Sequence, residues 1–254
     1  MAIRLNSSLV AVLLLASGAL GQEAIPQGTI IPVALNGTLS SNRAKPNRVI
    51  SARVMQDVPL PDDKQIRQGA RVTGHVVEVR PGAQGSGSMI SFVFDRLATS
   101  KMALPVITDL RAMASVTAVE SAQIPAFGMG EGDSWSARTT VQVGGDTVYW
   151  GGGPVASAAG RVGKPLVGAD SGVLVRVTAN PKGGCRGDSD ENQRVQALWV
   201  FSSNACGVYG LNGLTISRAG RTEPSGVIEL ASRADQVKVP SGTGMLLRVI
   251  GPRE

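Results

Sequence analysis

ARVTGHVVEV (residues 70–79), RPGAQGSGS (80–88) and MISFVFDRL (89–97) form the stretch on which the fold class turns. In the first segment Val72, Gly74, Val76 and Glu78 fall on one side of an extended chain; Arg71, Thr73, His75, Val77 and Val79 fall on the other. A period of two marks a strand, because successive side chains leave a pleated backbone on opposite faces. Neither set is purely polar, which predicts a sheet covered on both sides over part of its length. The third segment alternates as well, with Ile90, Phe92 and Phe94 on one face. Between the two, the glycines and serines of 80–88 make a turn. MALPVITDL (102–110) reads as the next partner, in a hairpin 89–97/102–110 turned at residues 98–101.

The same pattern extends outward. Thr29 to Leu35 reads as a strand broken at Pro32, either placed at an edge or beginning again at Pro32, because proline lacks a ladder donor. Val49 to Val54 is another strand. Val141 to Trp150 is a hairpin turned at Gly144-Gly145-Asp146. Further strands are expected at 173–177, 195–202, 208–220, 227–230 and 237–240, and GMLLRVI (244–250) is apolar enough to be central or barrel-closing. The one helix expected is 110–122, capped by Asp109 and favoured by alanine. Residues 150–172 have little periodicity and read as a long mobile loop or an internal linker. With 32 glycines and 14 prolines spread between short β-branched runs, the chain reads as all-β: an antiparallel β-barrel or barrel-like sandwich with one short helix and long loops.

The first 21 residues have a different character. Arg4, the apolar run Leu9 to Leu15 and the small residues Ala16 to Gly21 have the layout of a signal peptide cut after Gly21. Its apolar core is shorter than the roughly 20 residues a transmembrane helix needs. The expectation is an exported protein, in the periplasm, at the outer envelope or secreted, with no transmembrane helix in its mature form. Its β domain would span 22–254, with a subdivision into 22–125 and 126–254. Cys185 and Cys206 then lie in an oxidising compartment and are expected to form a disulfide. The net charge of +6 is scattered, not focused into a basic stripe, so nucleic acid is not an expected partner.

No residue pattern points to catalysis. Phosphate-loop, dinucleotide, serine-elbow and zinc-protease motifs are absent from the sequence. His75, the sole histidine, sits in a valine-rich strand with no motif partner beside it. Asp188, Asp190 and Asn192 place oxygen ligands at alternate positions, the beginning of a calcium loop. Gln193 stands where that loop needs its glycine, so a solvated acidic turn is the stronger reading and no other metal site or cofactor is expected. Trp135, Tyr149, Trp150 and Trp199 are candidates for a sugar- or peptide-binding surface, since aromatics bring large contact area; a core or girdle position explains each more simply.

IPQGTIIPVAL (25–35) with Leu39-Ser40-Ser41, VISARVMQDV (49–58), IRQGARVTGHV (66–76), and FVFDRL (92–97) before ALPV (103–106) follow one another in an order with a precedent. This third of the chain resembles the C-terminal β-barrel domain of TrbI-type conjugal-transfer proteins, components of type IV secretion channels. The resemblance implies a barrel and a scaffolding role, with homo-oligomeric or envelope-protein partners and no turnover. The whole chain is also similar to exported proteins of soil-dwelling acidobacteria, a likeness that implies export alone. Two functional expectations result. One is a non-enzymatic envelope or periplasmic assembly protein; the other is a secreted carbohydrate- or peptide-binding module, alone or attached to a hydrolase activity.

Overall fold

The computed structural model describes residues 25–82, 86–99, 103–124, 126–127, 138–150, 153–166, 172–178, 185 and 194–250. Residues 1–21, on which the expected signal peptide falls, Trp135 and the calcium candidates Asp188, Asp190 and Asn192 lie outside the described residues. In chain order the first strands are β1 (Ile30–Leu35), β2 (Leu39–Ser40), β3 (Val49–Val54), β4 (Val58–Pro59), β5 (Gln65–Ile66), β6 (Arg71–Arg80), β7 (Ser88–Ala98), β8 (Ala103–Pro105) and β9 (Thr108–Ala114). Helix α1 (Val116–Ser121) ends this half. An excursion follows: β10 (Ala126–Phe127), β11 (Arg138–Val141), β12 (Thr147–Trp150), β13 (Val155–Ser157), β14 (Gly160–Pro165), β15 (Val173–Arg176) and β16 (Val195–Ala197). The chain then returns through β17 (Gly207–Tyr209), β18 (Leu214–Ala219), β19 (Ile228–Ser232), β20 (Lys238–Val239) and β21 (Gly244–Val249).

The first and last groups build one sheet in the order β17-β9-β21-β1-β3-β6-β7-β19-β18, curled into a nearly closed barrel. Its interior is packed side chain, not lumen. Ile31, Val33 and Leu35 of β1, Ile50, Ala52 and Val54 of β3, and Val72 and Val76 of β6 meet Phe92 and Phe94 of β7 in one buried cluster. The two phenylalanine rings stand edge to face, 5.7 Å apart. The excursion forms a second sheet, a meander in the order β10 through β16. It lies against the outside of β1, β9 and β21, where a second core joins Ile30, Ala34, Ala112, Ala114 and Leu246 to Val148, Val175, Leu198 and Phe201. The barrel offers small residues here. A Cβ on Gly244 would stand 2.9 Å from Val119 Cγ2, so the close approach requires glycine.

Four expectations need correction. Residues 108–114 are strand β9, not helix; α1 covers only Val116–Ser121, and Ser115 caps it by accepting from the Ala118 amide. Asp109 is instead buried within the sheet. The hairpin partner of β7 is the short β8, while β9 pairs with β21 and, in parallel, with β17. β1 is internal, between β21 and β3. Pro32 is tolerated because Leu35 donates toward β21 (to Thr243) and Asn36 toward β3 (to Ser51), so position 32 faces the end of β3. A missing donor there interrupts no ladder. Finally, 150–172 is not a plain loop, because it contains the β13–β14 hairpin.

Closing a sheet needs local bends, and bulges supply them. Register shifts leave Val77, Asp95, Arg111 and Ser217 without an opposed residue. At the first two positions the bulge turns two consecutive residues outward: Val77 with Glu78, and Asp95 with Arg96, are all exposed. These are the places where the barrel directs polar groups away from its core.

Candidate functional site

The bulge at Arg111 organises the most elaborate polar site of the described residues. Leu110 points into the barrel and the extra residue sends Arg111 out toward the second sheet. Its guanidinium is 1% exposed, a fully buried cation. Nε donates to the Ala205 carbonyl at 3.0 Å, and Nη2 donates to the Thr178 and Ser203 carbonyls at 3.2 and 3.3 Å. A planar fork suits such convergent acceptors. On the far side of Ser203, the buried Asp146 carboxylate accepts that residue's amide at 2.6 Å. Ser203 therefore links the two ionic groups through successive peptide units, its amide held by the Asp146 carboxylate and its carbonyl by the Arg111 guanidinium. Arg111 thus pins the return of the excursion to the barrel.

The disulfide stands beside it. Cys185 and Cys206 are bonded, as expected from the sequence, with Cα atoms 5.9 Å apart. Cys185 Sγ lies 3.2 Å from the Arg111 carbonyl oxygen. A disulfide sulfur carries no proton, so this is a close sulfur–oxygen contact, not a hydrogen bond. The Tyr209 hydroxyl accepts the Cys206 amide at 3.0 Å. A second ionic group sits nearby on the same strand. Asp109, fully buried, receives Arg248 Nε at 3.1 Å and Arg221 Nε at 2.9 Å, and Arg248 Nη2 also bonds it. Asp109 and Arg248 are direct cross-strand partners, so the pair adds to the β9–β21 register.

These groups flank the barrel's seam, where β17 and β18, the two ends of the sheet order, face one another. The seam holds a cleft of about 380 Å³. Leu110, Val208, Leu214 and Ile216 make it apolar, the disulfide forms one wall and Arg221 borders it. Its chemistry suits an apolar side chain next to an anionic group. The cleft contains no nucleophile–base pair among the described residues.

The other barrel wall carries His75. It faces solvent from β6, and Asp95 on β7 supplies the carboxylate partner that sequence proximity did not, with Nδ1 and Oδ2 3.1 Å apart. Both side chains are nearly half exposed, which makes the pair a solvated one worth about 0–1 kcal/mol. Among the described residues Asp95 is the side chain that bonds the imidazole, and no hydroxyl or thiol does. Around it Val49 is 72% exposed and Val77 40%.

Of the aromatic candidates, the described Tyr149, Trp150 and Trp199 are not gathered into one groove. Trp199 is buried in the core between the two sheets, with φ of +51°. Its amide donates to Gln56 Oε1 at 2.7 Å, and Gln56 Nε2 donates to the Val173 carbonyl at 2.9 Å, tying the second sheet to the end of β3. Trp150 packs partly against the same core and donates from Nε1 to Thr140 Oγ1 at 2.8 Å. Tyr149 points the other way, outward, on the same face as the exposed Val141. Among the described residues no group of three or more histidine, cysteine or carboxylate side chains is placed to hold a metal, and no helix is long and apolar enough to cross a membrane.

Sequence reasoning overlooked Arg111, Arg221, Arg248 and Gln56. The one local signal was a lone arginine inside the apolar run Leu110 to Ala114, which in a strand buried on both faces demands partners. Neither a protein-family model nor a curated protein sequence matches the chain.

Proposed function

We propose that the protein is a non-enzymatic, exported assembly subunit of the cell envelope, its barrel acting as a scaffold in the manner of the TrbI-type domains it resembles. The observation that carries this reading is the inequality of the barrel's walls. The β1–β9–β21 wall is covered by the chain's own second sheet, whereas the β3–β6–β7 wall presents Val49 and Val77 to solvent beside the His75–Asp95 pair. Exposed aliphatic residues on adjacent paired strands suit a protein partner or a second copy. The disulfide supports an oxidising location. Native mass spectrometry of the mature protein and envelope fractionation test the reading. Oligomers or envelope co-fractionation are expected, lost in Val49→Asp/Val77→Asp; a monomer free of envelope partners overturns it.

A second reading, a carbohydrate- or peptide-binding module, is favoured by one feature: Tyr149 and Val141 lie exposed on the same face of β11 and β12. Saturable binding to glycan or peptide arrays, abolished by Tyr149→Ala, is its expected result. Binding that survives this change removes the aromatic surface from consideration.

A further inference from the structure

A second cleft, of about 320 Å³, lies on the excursion sheet and is lined by Arg161, Val162, Lys164, Leu174, Arg176 and Val195. Among the described residues three cations border it and no carboxylate does. None of the three makes a hydrogen bond or ion pair among the described residues, and all three are exposed. Their arrangement follows from the register. Lys164 is opposite Leu174, and Arg176 is opposite Val195, so cation and aliphatic group alternate across β14, β15 and β16. The shift that leaves Val162 unopposed lies in the same strand. Gly163 allows β14 to come close, since a Cβ there would stand 2.0 Å from the Leu174 carbonyl oxygen.

Three like charges around one concavity repel each other, and no carboxylate among the described lining residues offsets them. The geometry points to an anionic phospholipid headgroup as the occupant. Two guanidinium forks and an ammonium match phosphate oxygens. Val162, Leu174 and Val195, the last 44% exposed, give the glycerol and first methylenes an apolar bed that inorganic phosphate would leave unused. An acidic peptide fits less well. Extended peptides dock on free strand edges; β14 and β15 are paired on both sides, which leaves such a peptide only the outer edge of β16, two strands from Arg161 and Lys164 on β14.

The test is flotation of the mature protein with mixed phosphatidylglycerol–phosphatidylcholine vesicles and with pure phosphatidylcholine vesicles. It is paired with titrations of inorganic phosphate, glycerol phosphate and an oligo-aspartate peptide. Binding to the mixed vesicles alone is expected. Replacing Arg161, Lys164 and Arg176 together by serine should weaken it about 100-fold, the scale of three basic residues near an anionic surface. A control removing the same charge from the barrel wall, Arg48→Ser/Arg53→Ser/Arg71→Ser, should change it less than about 3-fold, since those residues sit outside the cleft. Val195→Ser should weaken binding to the mixed vesicles, since it removes part of the apolar bed. The proposal is overturned by absence of vesicle binding, by equal loss in the control, or by tighter binding of inorganic phosphate or the peptide than of vesicles. Circular dichroism of each variant separates loss of the site from loss of the fold.

Discussion

The two walls of the barrel share one interior and differ only in what their outward positions carry. On the β1–β9–β21 wall those positions are Ile30, Ala34, Ala112, Ala114, Gly244 and Leu246, and the second sheet covers them. On the β3–β6–β7 wall they include Val49, Arg53, Arg71, His75 and Asp95, and water covers them. Inward residues on both walls are equally buried, so barrel formation alone does not distinguish them. The difference teaches that the second layer is held by small outward residues and a few buried polar ties, Arg111 and Gln56 foremost. The open wall keeps polar groups whose loss leaves the packing intact.

The most severe way to break this contrast is to remove the pin. Arg111→Ala leaves three carbonyls, those of Ala205 and Ser203 in buried bonds, without their donor, and urea unfolding should show a loss of about 3–5 kcal/mol. Arg111→Lys should recover only part, because a point charge cannot reach three acceptors as a fork does. If Arg111→Ala is nearly neutral, the second sheet is held by apolar contact alone.

Next is the covalent tie. Cys185→Ser/Cys206→Ser, which opens a bridge spanning a sequence separation of 21, should lower stability by about 3 kcal/mol in the same measurement. Limited proteolysis should then cut first in the excursion, between 126 and 206, and not in the barrel. Cleavage in the barrel first would reverse the assigned order of strength.

A subtler probe adds one methyl group to the clad wall. Gly244→Ala puts a Cβ 2.9 Å from Val119 and 3.2 Å from the Trp199 ring, and overpacking should cost about 1–3 kcal/mol. The smallest effect belongs to the open wall. His75→Gln or Asp95→Asn should change the thermal midpoint by an amount worth less than about 1 kcal/mol. A loss there as large as on the clad wall would show that the open wall, too, is a structural interface.

Much of the barrel was legible because its strands announce themselves locally. Val49–Val54 was readable to the residue, and β6 and β7 to within one residue at each end, since alternation of valine, isoleucine and phenylalanine is a property of neighbours. The bulges left a trace as well: Asp95-Arg96 and Ser217-Arg218 put two polar residues in a row where alternation calls for one. β9 was misread because Leu110, Ala112, Met113 and Ala114 are good helix formers. Those alanines are there because the second sheet must come close, a requirement set by residues far along the chain. The β13–β14 hairpin was hidden by its glycines and alanines and by the bulge at Val162, which spoil the period of two.

The site was less readable than the fold. Two cysteines, the chain's single pair, are enough to suggest their bond, and that inference needs only a count. Asp95 as the partner of His75, Asp109 as the anchor of Arg221 and Arg248, and the meeting of Arg111 with Thr178, Ser203 and Ala205 join residues 20 to 139 positions apart. The amino-acid sequence by itself determined the all-β class, most barrel strands and the cysteine pair, because alternation, turn residues and residue counts are local or compositional. Tertiary structure alone decided which wall is covered, where the bulged arginine points and how the cations of the second sheet surround one cleft. Those outcomes depend on register between distant strands, and register exists only once the sheet has closed.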